Sequence, residues 1–156
     1  MPVKVSCASV EETQILAQKL AQIAQKGDTF LLFGTLGVGK SVFARAFIEH
    51  LTNAKEVPSP TFTLVQTYTA PDFEIYHFDL YRLKDPEEIW ELNIEEALHN
   101  AVCLIEWPEK TAPYLPRNAF VVSIGTCANG ARLFELKTNS PEKQARLEHL
   151  FTSKES

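Results

Sequence analysis

Eight consecutive residues, Gly34-Thr35-Leu36-Gly37-Val38-Gly39-Lys40-Ser41, have the composition and spacing of a phosphate-binding P-loop. Glycines at 34, 37 and 39 let the backbone curl until successive N–H groups converge on phosphate oxygens. A helix starting near Ser41 would add the positive end of its dipole at the same point. Lys40 can then reach the β- and γ-phosphates, and the Ser41 hydroxyl can ligate Mg²⁺. The expected ligand is a nucleoside triphosphate with magnesium. No Asn-Lys-x-Asp motif for reading guanine occurs, which favours ATP over GTP.

A phosphate loop of this kind works with a carboxylate opposite it. Val102-Cys103-Leu104-Ile105-Glu106 reads as an apolar strand ending in an acid, the form of a Walker B segment. Two roles are open for Glu106, holding Mg²⁺ through water or orienting the attacking water, and it stands where an Asp is usual. Asp79, at the end of a second apolar run, is the rival carboxylate; a turn cap or an ion pair with Arg82 would equally explain an acid there. His77 alternates with Asp79, so both share one strand face. A lone histidine in such a place reads as a packed or surface residue, and no second histidine supports metal binding. Thr61, in a loop after Pro58 and Pro60, suits either γ-phosphate sensing or a loop cap. Trp90 and Trp107 read as core.

The elements that must position these residues are legible in outline. Ser9-Val10-Glu11-Glu12 is a capping box, followed by Leu16, Leu20, Ile23 and Ala24 at helical spacing, with Gly27 as a stop. Asp28 to Phe33 predicts a buried strand, and Ser41 to Leu51 a helix, the strand–loop–helix order that a P-loop requires. Thr61 to Thr69 and Phe73 to Leu80 flank Ala70-Pro71-Asp72 and predict an antiparallel hairpin. Pro86 to Leu98 reads as one or two short helices, and Val102 to Trp107 as a buried strand. Ala119 to Gly125 and Ala131 to Lys137 flank Asn129-Gly130, a strong hairpin signal. Ser140-Pro141-Glu142 opens a last helix. The expected fold is one α/β, P-loop NTPase-like domain over residues 1–156, a mixed β-sheet with helices on both faces.

Bulk properties narrow the function classes. The 156 residues are 45% hydrophobic, enough for a full core without disulfide staples. Cys7, Cys103 and Cys127 are widely spaced and form no Cys-x-x-Cys, which fits a reduced cytosol rather than a bridge framework or zinc knuckle. Polar residues follow Val5 where a signal peptide would be apolar, and no apolar run could span a bilayer, so a soluble cytoplasmic protein is expected. The net charge is −5 with no densely basic stretch, which disfavours direct binding of nucleic acid.

Taken in order after the P-loop, Ser59-Pro60-Thr61-Phe62-Thr63-Leu64, His77-x-Asp79-Leu80-Tyr81-Arg82 and Glu106-Trp107-Pro108-Glu109 resemble the bacterial TsaE (YjeE) family. The resemblance runs from about Glu12-Thr13 to Arg132 and is far more specific than the P-loop alone. It implies a cytoplasmic ATPase needed for threonylcarbamoyladenosine formation in tRNA, working with a TsaD–TsaB pair while a separate enzyme makes threonylcarbamoyl-AMP. It further implies nucleotide contacts from Thr13, Gly37, Val38, Gly39, Lys40, Ser41, Val42 and Arg132, with Mg²⁺ at Ser41 and Glu106. Thr61 resembles the family's switch threonine, Asp79 and Glu106 its two acids, and Trp107 its adjacent tryptophan. Thr35 replaces the family's usual acid, and Ser41 an often-found threonine. Two other classes compete: a small P-loop kinase, although Arg82, Arg117 and Arg132 are scattered with no evident lid, and a nucleotide-gated binding module whose hydrolysis is incidental.

Overall fold

The computed structural model describes residues 2–35, 38–53, 57, 58, 60 and 63–152. Among them seven strands form one mixed sheet: Val3–Cys7 (β1), Thr29–Phe33 (β2), Val65–Thr69 (β3), Glu74–Asp79 (β4), Ala101–Glu106 (β5), Phe120–Thr126 (β6) and Arg132–Thr138 (β7). Their order is β1-β7-β6-β2-β5-β4-β3. The four central strands, β6, β2, β5 and β4, are parallel, while β7, β1 and β3 add antiparallel edges. Central parallel strands are buried on both faces and so read as apolar runs; β5 is buried at all six positions.

Helices cover both faces, as expected. Val10–Ile23 (α1), Lys40–Thr52 (α2) and Pro141–Thr152 (α4) pack on one side, where Leu20, Phe47 and Leu147 meet Phe30, Leu104 and Phe120 of the sheet. Phe30 stacks on Phe120 with ring centroids 4.7 Å apart and meets Phe47 edge-on at 5.1 Å. The other side is covered by the 3₁₀ turn Pro86–Leu92 and by Ile94–Asn100 (α3), whose Ile89, Ile94 and Ala97 lie over Leu31, Phe78, Cys103 and Ile105. Alternation along the strands divides these sets: Phe30 and Leu32 serve one core, Leu31 the other. Among the described residues no helix is long and apolar enough to cross a membrane.

Several expectations need correction. The strand β1 was not anticipated from the sequence; Val3–Cys7 is a five-residue edge that buries only alternate side chains, too short a pattern to declare itself. It pairs with β7 in the register Val3↔Leu136 to Cys7↔Arg132. Helix α1 ends at Ile23 through an extended Ala24, and Gly27 (φ 93°) serves the turn into β2 instead of stopping the helix. The first arm of the expected hairpin is shorter, since Thr63 and Leu64 lie in a turn with Leu64 at φ 70°. Trp90 is 44% exposed, so it is not a core residue.

The capping box holds at the start of α1. Ser9 Oγ accepts from the Glu12 N–H at 3.2 Å, and Glu12 Oε1 reaches back to the Ala8 N–H at 2.6 Å. Ser9→Ala is expected to cost about 1 kcal/mol, lowering the melting temperature by about 2–4 °C in a calorimetric scan. An unchanged midpoint would show that the cap carries no stability.

Candidate functional site

In open α/β sheets the ligand crevice lies beyond the C-terminal ends of the parallel strands. Here β2, β5 and β4 end side by side, and the loop after β2 leads directly into α2. Register sets Leu32, Glu106 and Asp79 in one row across the three strands. Period-two alternation from Ile75 and Leu104 turns both acids toward the α1–α2 face.

Both acids are deeply buried, Asp79 at 5% and Glu106 at 2% exposure, and a buried carboxylate persists only with partners. Asp79 Oδ1 accepts from the Tyr81 N–H at 3.1 Å, so it does cap the turn after β4. Glu106 Oε2 lies 2.7 Å from Nε2 of His77, itself 1% exposed. If Glu106 is ionised it can only accept, and the hydrogen of this bond then sits on Nε2 of His77.

Lys40 opens α2 and is 4% exposed. Its Nζ donates to the Gly34 carbonyl at 2.7 Å and lies 3.3 Å from the centroid of the Trp107 indole. Burial pulls the Lys40 pKa below its ordinary value, against the opposing pull of Glu106, Glu109 and Asp79. Thus the loop lysine and the two strand-end acids form one electrostatic group. Trp107 leaves β5 at φ 59°, a costly conformation for a bulky side chain, on the order of 1–3 kcal/mol, that is found where function constrains the backbone. It lies half-buried against Tyr81, with centroids 4.9 Å apart.

Two glycines are dictated by this geometry. A Cβ on Gly34 would stand 2.6 Å from Val38 Cγ1 and 3.1 Å from the Ile124 carbonyl, so a side chain there forces Val38 or the adjoining backbone to shift. Gly39 caps α2 at φ 115°, which only glycine adopts without strain.

Beside the loop lies a cavity of about 390 Å³, within the size range of small-molecule sites, about 300–1,000 Å³. Its walls include Thr13, Val38, Gly39, Val42 and Arg132, together with Cys7 at the end of β1. Arg132 Nε donates to the Val38 carbonyl at 2.8 Å and so ties β7 to the loop. Burial pushes the Cys7 thiol pKa up, and the hydrogen bond from Thr13 pulls it partly back. Thr13 is buried in the same wall.

Of the residues singled out in the sequence, Lys40, Asp79 and Glu106 converge in the crevice, and Ser41 follows Lys40 half-buried in the first turn of α2. Thr13, Val38, Gly39, Val42 and Arg132 converge in the cavity. Gly37 and Thr61 lie outside the described residues. Arg82 and Arg117 are exposed. Sequence reasoning missed the bond from His77 to Glu106, for which the alternation with Asp79 was the available signal. It also missed the contribution of β1 and of Gly130, in the hairpin turn, to the cavity wall.

Comparison with known proteins gives concordant matches. Residues 7–133 match the family model described as "Threonylcarbamoyl adenosine biosynthesis protein TsaE". The chain is 46% identical over 135 residues to the tRNA threonylcarbamoyladenosine biosynthesis protein TsaE of Rickettsia conorii, covering 86% of this chain and 77% of that one. It is 36% identical over 123 residues to the protein of the same name from Bacillus subtilis, covering 78% and 77% of the two chains. The crystal structure of Bacillus subtilis YdiB superposes with a TM-score of 0.82 at 26% identity, over 96% of this chain and 94% of that one.

Proposed function

We propose, since this chain belongs to the TsaE family of threonylcarbamoyl adenosine biosynthesis proteins, that it is a cytoplasmic, magnesium-dependent ATPase serving a TsaD–TsaB pair in the threonylcarbamoyladenosine modification of tRNA. The observation that supports this best is the meeting of Lys40, Asp79 and Glu106 at the C-terminal ends of parallel strands, beside a cavity of nucleoside size.

On this reading the nucleoside occupies the cavity between Thr13, Val42 and Arg132, and the phosphates lie along the loop toward Lys40. Lys40 exchanges the Gly34 carbonyl and the Trp107 face for β- and γ-phosphate oxygens. A serine hydroxyl with strand-end carboxylates is an all-oxygen set, suited to a hard cation that keeps part of its water shell. Ser41 and Glu106 would hold Mg²⁺, which neutralises charge on the phosphates, and Asp79 supplies the second acid. Thr61 senses the γ-phosphate, as the family resemblance implies. No direct contact with tRNA is required of this chain.

The test is steady-state phosphate release, with and without the TsaD–TsaB pair and with no phosphoryl acceptor. Slow hydrolysis alone and roughly tenfold or greater stimulation by the pair are expected, because P-loop proteins often borrow transition-state charge from a partner. Thr61→Ala should reduce that stimulation while leaving ADP affinity nearly unchanged, since ADP lacks the γ-phosphate. Fast hydrolysis indifferent to the pair, or ADP formation only with an added acceptor, would overturn the proposal.

A further inference from the structure

Glu106 stands where a shorter aspartate is usual, and the longer stem creates a problem that its surroundings must solve. The extra methylene adds a rotatable bond, so the carboxylate has more ways to point away from the nucleotide. Asp79 lies directly beside it in the strand register, and two like charges on neighbouring strands repel. A tether on the carboxylate would fix its direction.

His77 provides one. It sits on β4 two residues before Asp79, opposite Leu104, and is 1% exposed. A histidine buried only for packing leaves ring nitrogens without partners, at a cost that an apolar side chain would avoid. In this ring Nδ1 indeed finds no hydrogen-bond partner among the described residues. Among the described residues the ring's polar contact is one short bond, 2.7 Å from Nε2 to Glu106 Oε2.

The geometry points to His77 as a positioning residue for hydrolysis, whose Nε2–H holds Oε2 of Glu106 and leaves Oε1 to serve metal or water. This rests on the proposed reading of Glu106 as the acid at the nucleotide. His77 touches no reacting atom. It acts by limiting the orientations of the carboxylate that does, in the way that partners behind a ligating side chain set its direction.

Three substitutions and one spectroscopic measurement test this. His77→Leu keeps bulk and removes the donor, and kcat for ATP should fall roughly 10–100-fold, the usual cost of losing such a partner. Affinity for Mg-ADP should change by less than about threefold, since the loop and cavity contacts remain. His77→Gln places an amide N–H near the position of Nε2 and should recover part of kcat. In a Glu106→Gln background, His77→Leu should add little further loss, because the group being positioned no longer works. Histidine ¹⁵N–¹H correlations on the wild-type chain should show the Nε2–H form for His77, kept but with a shifted Nε2–H resonance in Glu106→Gln, whose amide oxygen is a weaker acceptor. Equal losses in both backgrounds, glutamine no better than leucine, or an Nδ1–H form in the wild type would each overturn the assignment. The spectrum needs no turnover, so it still decides the contact if the leucine variant fails to fold. Wild-type protein with no ATPase activity even beside the TsaD–TsaB pair would instead count against the hydrolytic reading itself.

Discussion

Lys40→Ala should lower the rate of ATP hydrolysis by about 10²–10³, equivalent to about 3–4 kcal/mol of lost transition-state stabilisation. Two features make the effect large. Lys40 is 4% exposed, so its charge acts at low effective dielectric on whatever the loop binds. It also faces Glu106, Glu109 and Asp79, so its removal takes away positive charge where phosphates would be brought near carboxylates. The fold should survive, because alanine is the best helix former and position 40 is the first residue of α2. Single-turnover phosphate release, with Mg-ATP affinity and a thermal scan on the same samples, checks this. Turnover and affinity at wild-type levels would remove Lys40 from the site.

Glu106→Gln should cost hydrolysis about 10²–10³ while leaving nucleotide affinity within a few-fold, the pattern of a group that works chiefly in the transition state. The amide keeps the shape, and its oxygen can still accept from His77 Nε2–H, so the change isolates the charge. Asp79→Asn should do less damage to the local fold, since an amide oxygen can still accept from the Tyr81 N–H. If both variants hydrolysed ATP normally, alone and with the partner pair, neither acid would belong to the reaction. Comparing the two also separates their roles: a shift in the Mg²⁺ concentration needed for half-maximal rate marks the metal-holding acid.

What the sequence by itself determined is local. Gly34, Gly37, Gly39, Lys40 and Ser41 are neighbours along the chain, so their chemistry could be read from spacing. The same holds for the Ser9 cap, the Asn129-Gly130 turn and the apolar run of β5, because each signal is complete within a few residues. The motifs around Asp79 and Glu106 were legible for another reason: together with the loop they make a family pattern, and residues 7–133 match that family.

The tertiary structure decided which distant groups touch. Asp79 and Glu106 are 27 positions apart and became partners only when β4 paired with β5 in parallel register. His77 read as a packed or surface residue because nothing along the chain connects it to Glu106; one bond across the same strand pair gave it a different meaning. Trp90 and Trp107 looked alike as large apolar side chains, yet one is 44% exposed in a 3₁₀ turn and the other lies over the loop lysine. Hydrophobicity governs the average tendency to be buried, but a large amphipathic ring can be satisfied at a surface or against a cation, and only the backbone path selects between them. The cavity wall is the clearest case. Cys7 and Arg132 lie at opposite ends of the sequence, and the edge pairing of β1 with β7 sets them side by side. Hydrogen bonds between strands ignore separation along the chain, so a site built across them is invisible until the sheet is assembled.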